Sequence, residues 1–369
     1  MKPRALPLAS RLDRYVARLF ALSYLAAFLL VVGLFLILDM ATNLDDYLTT
    51  DKSGHGPPTG LVGEYYLLQL PFLYLQMSPY VTLVAGMFAA ARLARNNEIV
   101  AALGAGISVR RLLLALYLGA TLLAVGMFAL REGATRQLGR QRDLVLDRLT
   151  ERRDLPVLED LVVRDRRGRP VRLSEYAVGD ASRESEVRGL TARFQEDQLS
   201  VAITAPEARY LGGGRWELDH GLRHEDDGMG RRAIPLQVLE DPRFTPDDVE
   251  LYWKARDHPL DLSHAELTTL LDREPTNAQY QTLLQYNLTF PLAGLVLLLV
   301  GLPFVVVSER GRAGERIARG FFLCMAYFGV DFVARTLGLQ GEVGPLVSGW
   351  LPLVLFGSLG VVLTASMRS

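Results

Sequence analysis

Arg92, Arg95, Asn97 and Glu98 crowd one short polar stretch, with Gly104 and Gly106 close behind and Arg110-Arg111 after them. Two arginines and a carboxylate at this spacing suit directional, salt-sensitive contact with a protein partner. Solvated loop charge is the plainer reading of the arginines, whereas Glu98 is not demanded by any charge bias. A second pair, Asp331 and Arg335, stands inside an otherwise apolar run, four residues apart, the spacing that shares one helix face. A charge at the centre of a bilayer-spanning helix costs roughly 2.5–3.5 kcal/mol. The pair is therefore either a structural ion pair or a contact to a lipid headgroup near the end of that run.

Nucleotide chemistry has no foothold. A phosphate-cradling loop needs G-x-x-x-x-G-K-[ST]. The lysines are Lys2, Lys52 and Lys254; only Lys52 precedes a hydroxyl residue, and Asp51 stands where glycine is required. His220 and His224, beside Glu225, Asp226 and Asp227, have ligand-type side chains, but Gly221 and Gly228 mark a loop and no metal site is read there. No paired catalytic constellation stands in the apolar runs, no cofactor is implied, and a net charge of −1 gives no reason to expect nucleic acid. The single cysteine, Cys324, lies in an apolar run and reads as a core thiol.

The elements that position these residues are set by the apolar runs. A helix needs about 20 apolar residues to cross a bilayer core. Uncharged runs cover 19–38, 71–91, 112–130, 288–307 and 345–365, and 320–334 is apolar except for Asp331. These predict six membrane helices, three near each end of the chain. Pro79 and Pro352 lie inside runs and predict kinks.

Lysine and arginine mark the cytoplasmic loops. They gather before the first run (Lys2, Arg4, Arg11, Arg14, Arg18), between the second and third (Arg92, Arg95, Arg110, Arg111) and between the fourth and fifth (Arg310, Arg312, Arg316, Arg319). Both termini are expected in the cytoplasm and the long polar block across the membrane.

That block predicts three domains: 1–131 with three spans and a polar connector near 92–106, 132–281 outside the membrane, and 282–369 with three more spans. Residues 132–156 read as a helical stalk. Beyond Pro156, short runs at 158–163, 187–194, 199–204 and 215–220 are separated by glycine and charged turns, and 199–204 and 215–219 alternate in polarity, predicting an antiparallel sandwich or roll. Ser263-His264-Ala265-Glu266 predicts a capped helix, and Thr276-Asn277-Ala278-Gln279 a second cap before the fourth span.

Several stretches resemble one family in order and spacing. They are Leu12-Asp13-Arg14-Tyr15-Val16, Ala90-Ala91-Arg92-Leu93-Ala94-Arg95-Asn96-Asn97-Glu98-Ile99-Val100-Ala101 continuing into Gly104-Ala105-Gly106, Ser263 to Leu271, Pro291-Leu292-Ala293 with Gly301-Leu302-Pro303-Phe304, and Gly349-Trp350-Leu351-Pro352. The chain resembles the LptF/LptG permeases of the lipopolysaccharide exporter, on the LptG side. The resemblance implies an α-helical membrane protein with six transmembrane helices and a periplasmic β-jellyroll-like domain.

It implies one permease half of an ATP-binding-cassette transporter in a bacterial inner membrane. The other components would be a cytoplasmic ATPase dimer, a second LptF/LptG-type permease, an LptC-like single-span protein and a periplasmic bridge. Lipopolysaccharide would be the cargo. Arg92, Arg95, Asn97, Glu98, Gly104 and Gly106 would belong to the coupling helix that docks on the ATPase. Arg310-Gly311-Arg312 and Glu315-Arg316 would either touch the ATPase too or serve orientation alone. LptG-type members carry basic residues where the first span ends, but Asp39, Asp45 and Asp46 stand here. Divalent cations, bases from the partner half, or a different lipid are the open explanations. The competing reading of the whole chain is a membrane-anchored scaffold whose outer domain binds proteins, with no ATPase partner.

Overall fold

The computed structural model describes residues 11–48, 59–150, 157–179, 185–196, 199–226, 228, 230–306 and 313–367. Lys52, Asp227, Arg310 and Arg312 lie outside the described residues, as do the side chains of Asp45, Asp46, Glu315 and Arg316. The helices are α1 (Arg11–Leu48), α2 (Thr59–Arg95), α3 (Glu98–Gly104), α4 (Val109–Thr150), α5 (Pro246–Asp257), α6 (His264–Arg273), α7 (Ala278–Val306), α8 (Ala313–Leu339) and α9 (Pro345–Ala365). The strands are β1 (Val157–Arg164), β2 (Pro170–Ala177), β3 (Glu186–Glu196), β4 (Leu199–Gly212), β5 (Arg215–Asp219), β6 (Leu222–Asp226), β7 (Arg231–Pro235) and β8 (Val238–Leu239). Six helical segments are long and apolar enough to cross a membrane: 11–43, 60–95, 109–133, 278–306, 320–339 and 345–365. Each contains or nearly matches one of the six apolar runs.

The chain divides into two compact units. The first comprises 1–45, 69–135 and 278–369, the second 46–68 and 136–277. In the first, α7 is held by small residues that let backbones close in, the usual device where lipid offers no hydrophobic drive. A Cβ on Gly349 of α9 would strike Gln285, one on Gly360 would strike Leu299, and one on Gly86 of α2 would strike Leu298. Trp350 Nε1 donates to Gln285 Oε1 at 3.0 Å, and Arg131 donates to Asn287. Pro79 and Pro352 do sit inside helices, joined by Pro71, Pro291 and Pro303. Cys324 is buried with its thiol facing the Leu297 carbonyl at 3.9 Å.

In the second unit the expected antiparallel β-domain is present. The order is β1-β2-β3-β4-β5-β8, with β6 paired to β4 and to β7. The 14-residue β4 forks: 200–204 pair with β6, and 207–212 with β5. One irregularity crosses the first four strands. Pairing skips Asp160, Ser174, Gly189 and Pro206, which stand opposite one another in register. On each strand the buried positions step by three across that line instead of two: Leu158 to Leu161, Leu173 to Tyr176, Val187 to Leu190, Ala205 to Ala208. Strand alternation has period two, so the line shifts the phase of four strands together and keeps one face buried on both sides of it.

Trp216 and Phe244 fill the core, stacked at 4.8 Å, and the indole Nε1 donates to the Phe244 carbonyl at 3.0 Å. Arg142, near the C-terminal end of α4, is buried between two carboxylates. Its Nε donates to Asp143 at 2.9 Å and its Nη1 to Asp261 at 3.1 Å. Burial pushes the Asp143 carboxyl above its ordinary range, against the pull of Arg142.

Two expectations need correction. The cap before α7 is not Thr276: the helix starts at Ala278, and Glu274-Pro275-Thr276-Asn277 form a turn closed by Asn277 N–H to the Glu274 carbonyl at 3.1 Å. Proline at the second turn position favours that geometry over an extra helical turn. The stretch around His224 is not a loop, because β6 runs from Leu222 to Asp226 between β4 and β7; only His220 sits in a left-handed turn (φ 50°). The first apolar segment ends at Asn43, while α1 continues to Leu48, and Asn43 Nδ2 donates to Asp39 at 3.0 Å. The Ser263–Glu266 box is formed in both directions. An identical device, Thr245 with Asp248, caps α5.

Two outcomes follow for the β-bearing unit. Gly189 holds φ +67° with no room beside Ser174. Gly189→Ala should therefore cost about 1–3 kcal/mol and lower the thermal midpoint in detergent, whereas Gly228→Ala, in open space, should cost less. Arg142→Met leaves Asp143 and Asp261 facing each other without a cation. Roughly 3–5 kcal/mol of destabilisation is expected, read in the same melt.

Candidate functional site

The polar connector folds into a compact turn–helix–turn. α3 is seven residues long and is bracketed by two left-handed residues, Asn97 (φ 57°) before it and Gly106 (φ 76°) after it. Asparagine tolerates this region better than most side chains. At the far end Gly106 N–H donates to Leu103 O at 2.9 Å and Ile107 N–H to Ala102 O at 2.9 Å. That bond pair is a Schellman closure, which wants glycine at its left-handed position. Gly104 is helical, and a Cβ there would meet nothing.

Packing explains why so short a helix persists. Seven residues are far too few for helix stability in isolation. Ile99 and Ala102 are buried in one apolar cluster with Val16 and Leu19 of α1, Ala89 and Leu93 of α2, Val109, Leu112 and Leu113 of α4, and Leu298 and Leu302 of α7. The opposite face is bare. Val100 is 66% exposed and Leu103 41% exposed, with Arg92, Arg95, Asn96 and Asn97 exposed on the preceding turns. The apolar pair Val100 and Leu103 was not singled out from the sequence. The signal was present as a three-residue step on a short helix, but which face it occupies depends on the packing of Ile99.

Glu98 is half-buried and bonded. Its Oε1 accepts from Tyr15 Oη at 3.0 Å and from Asn96 Nδ2 at 3.2 Å. Arg111 forks onto Asp13, Nη1 to Oδ1 at 2.6 Å and Nη2 to Oδ2 at 2.7 Å. Arg110 reaches the other way and donates to the Ala365 carbonyl, capping the end of α9. Arg92, Arg95, Asn97, Glu98, Gly104 and Gly106 thus share one surface.

Asp331 and Arg335 lie apart from it on α8, and among the described residues they do not form the close ion pair their spacing allows. The Arg335 guanidinium instead lies over the Tyr286 ring, 4.7 Å from its centroid. A desolvated ring face on a packed neighbour helix outcompetes the same-helix carboxylate, as cation–π contacts strengthen away from water.

The brackets around α3 have distinguishable outcomes. Asn97→Val and Gly106→Val force β-branched residues into the left-handed region, at about 1–2 kcal/mol each. Both should loosen the connector, seen as faster proteolysis there, while Asn97→Gly and Gly104→Ala should not.

None of the curated proteins matches the chain. The family described as "Lipopolysaccharide export system permease LptF/LptG" matches residues 14–366. That range takes in the α3 connector, the β-domain and all six apolar helices, so the chain belongs to the LptF/LptG family of lipopolysaccharide-export permeases and is a multi-pass protein of the inner membrane.

Proposed function

We propose that this permease is one half of an ATP-driven lipopolysaccharide exporter, worked by a separate cytoplasmic ATPase dimer that grips α3. The carrying observation is the bare face of α3: Val100 and Leu103 are exposed, just after Arg92, Arg95 and Glu98 in the chain, on a helix whose other face is built into the bundle. An apolar centre with a charged rim is the usual anatomy of a protein–protein contact. Both termini are cytoplasmic in this reading, and the β-domain is periplasmic. It passes lipid to a periplasmic bridge of similar domains, with an LptC-like single-span protein alongside.

A second LptF/LptG-type permease completes the lipid cavity, and this chain takes the LptG-like part. Domain roles follow the chain: spans and coupling helix in 1–131, the periplasmic domain in 132–281, the remaining spans in 282–369. Arg335, presented on Tyr286, is the fifth span's cation for an anionic headgroup, with Asp331 nearby on the same helix.

Leu103→Glu puts a charge at the centre of the contact, and Glu98→Ala removes its carboxylate. Losing a central interface contact costs on the order of 2 kcal/mol or more, so the ATPase should no longer co-purify at equal stoichiometry in mild detergent. Lipid-stimulated ATP turnover should fall with it. Full retention of the ATPase by both variants would contradict docking at α3, and absence of any ATPase from the wild-type complex would favour the scaffold reading.

A further inference from the structure

We infer that Asp13 and Tyr15 are positioning residues that strap the start of α1 to the coupling connector, so that displacement of α3 is delivered to the first span. The inference rests on the ATPase docking at α3 proposed above and assigns the path by which that docking acts.

Asp13 and Tyr15 are two residues apart on a helix, so they point in different directions. Each is taken by a different part of the connector. Tyr15 donates to Glu98 on the first turn of α3, and Asp13 receives the Arg111 fork from the first turn of α4. The two anchor points bracket the Gly106 turn from either side. A bidentate arginine–carboxylate pair fixes orientation as well as distance. Its side chains are only 23% and 13% exposed, so water competes weakly for it.

Val16, Leu19 and Phe20 continue the attachment by entering the same apolar cluster as Ile99 and Ala102. One helical turn further, Tyr24 and Ser78 share a hydrogen bond of 2.9 Å. Beyond that point α1 turns most of its bulk outward: Leu29, Leu30, Leu34, Ile37 and Leu38 are all exposed. The helix is gripped along its first part and largely bare along the rest, as a lever is.

Glu98 is the shared joint. Its Oε1 accepts both internal bonds, and among the described residues Oε2 accepts none. One carboxylate can thus hold α1 through one oxygen and the partner through the other. Removing the tyrosine hydroxyl should separate these roles, because the carboxylate stays and the strap goes.

The test uses the complete permease complex with its ATPase, in proteoliposomes loaded with lipopolysaccharide. Lipid released per ATP hydrolysed is measured beside retention of the ATPase on the purified complex. Tyr15→Phe should keep the ATPase bound while lipid per ATP falls by about threefold to tenfold, the worth of one hydrogen bond. Asp13→Asn should do the same, and the exchange Asp13→Arg with Arg111→Asp should recover most of the loss, which a simple folding defect would not. Wild-type lipid per ATP in Tyr15→Phe overturns the strap. So does parallel loss of the ATPase in Tyr15→Phe and Glu98→Ala, for then Tyr15 only orients the docking carboxylate. Retention of the ATPase by Glu98→Ala overturns the docking reading, and the strap with it.

Discussion

Burial of Ile99 and Ala102 among α1, α2, α4 and α7 is the contact on which the account stands. Without it, α3 is a seven-residue helix between two left-handed turns, too short to hold itself. With it, a polar connector becomes a fixed part of the bundle, and its outward face acquires a defined orientation. Asn97 and Gly106 supply the sharp entry and exit that let α3 lie on the bundle rather than extend α2 or α4. A permease of this family that is to be driven from outside needs such a feature, because a flexible loop would absorb a push instead of passing it on.

The bundle itself answers a different constraint. Within a bilayer, backbone groups must be satisfied inside the helix and polar side chains must find partners. Several described polar groups of the spans obey this: Tyr24 with Ser78, Arg131 with Asn287, Trp350 with Gln285, Arg335 on Tyr286. Glycines on α2 and α9 meet α7 closely and replace hydrophobic drive by fit. In the β-bearing unit water is available again, and the organising device becomes the phase shift through Asp160, Ser174, Gly189 and Pro206.

What the sequence revealed divides along these physical lines. The six spans were legible because membrane thickness sets a length that few other elements need. β5 and the start of β4 were legible through alternation, β1 and β3 as short runs between turns, and the Gly212-Gly213-Gly214 turn through composition. β2 was not read from the sequence; its apolar positions Val171, Leu173 and Tyr176 change phase at Ser174, as those of β1 and β3 do at Asp160 and Gly189. β6 escaped because Arg223, His224, Glu225 and Asp226 are half-buried, and its arginine pairs with Glu196 and Glu225 instead of a core. Thr276 misled because a proline turn and a capping box share the same opening residues. In the candidate site, Glu98 and the glycines could be found from type and spacing. Tyr15, Val100 and Leu103 could not, since their roles depend on contacts with residues far away in the chain.

The most direct measurement asks which side of the membrane each surface faces. Single cysteines are placed at Ala105→Cys, beside α3, and Glu217→Cys, on the exposed face of β5; the native Cys324 is buried and should stay silent. Spheroplasts are then treated with a membrane-impermeant maleimide. Glu217→Cys should be labelled in intact spheroplasts and Ala105→Cys only after the membrane is dissolved. Labelling of Ala105→Cys in intact spheroplasts would contradict docking at α3, because an ATPase in the cytoplasm could then never reach the surface assigned to it.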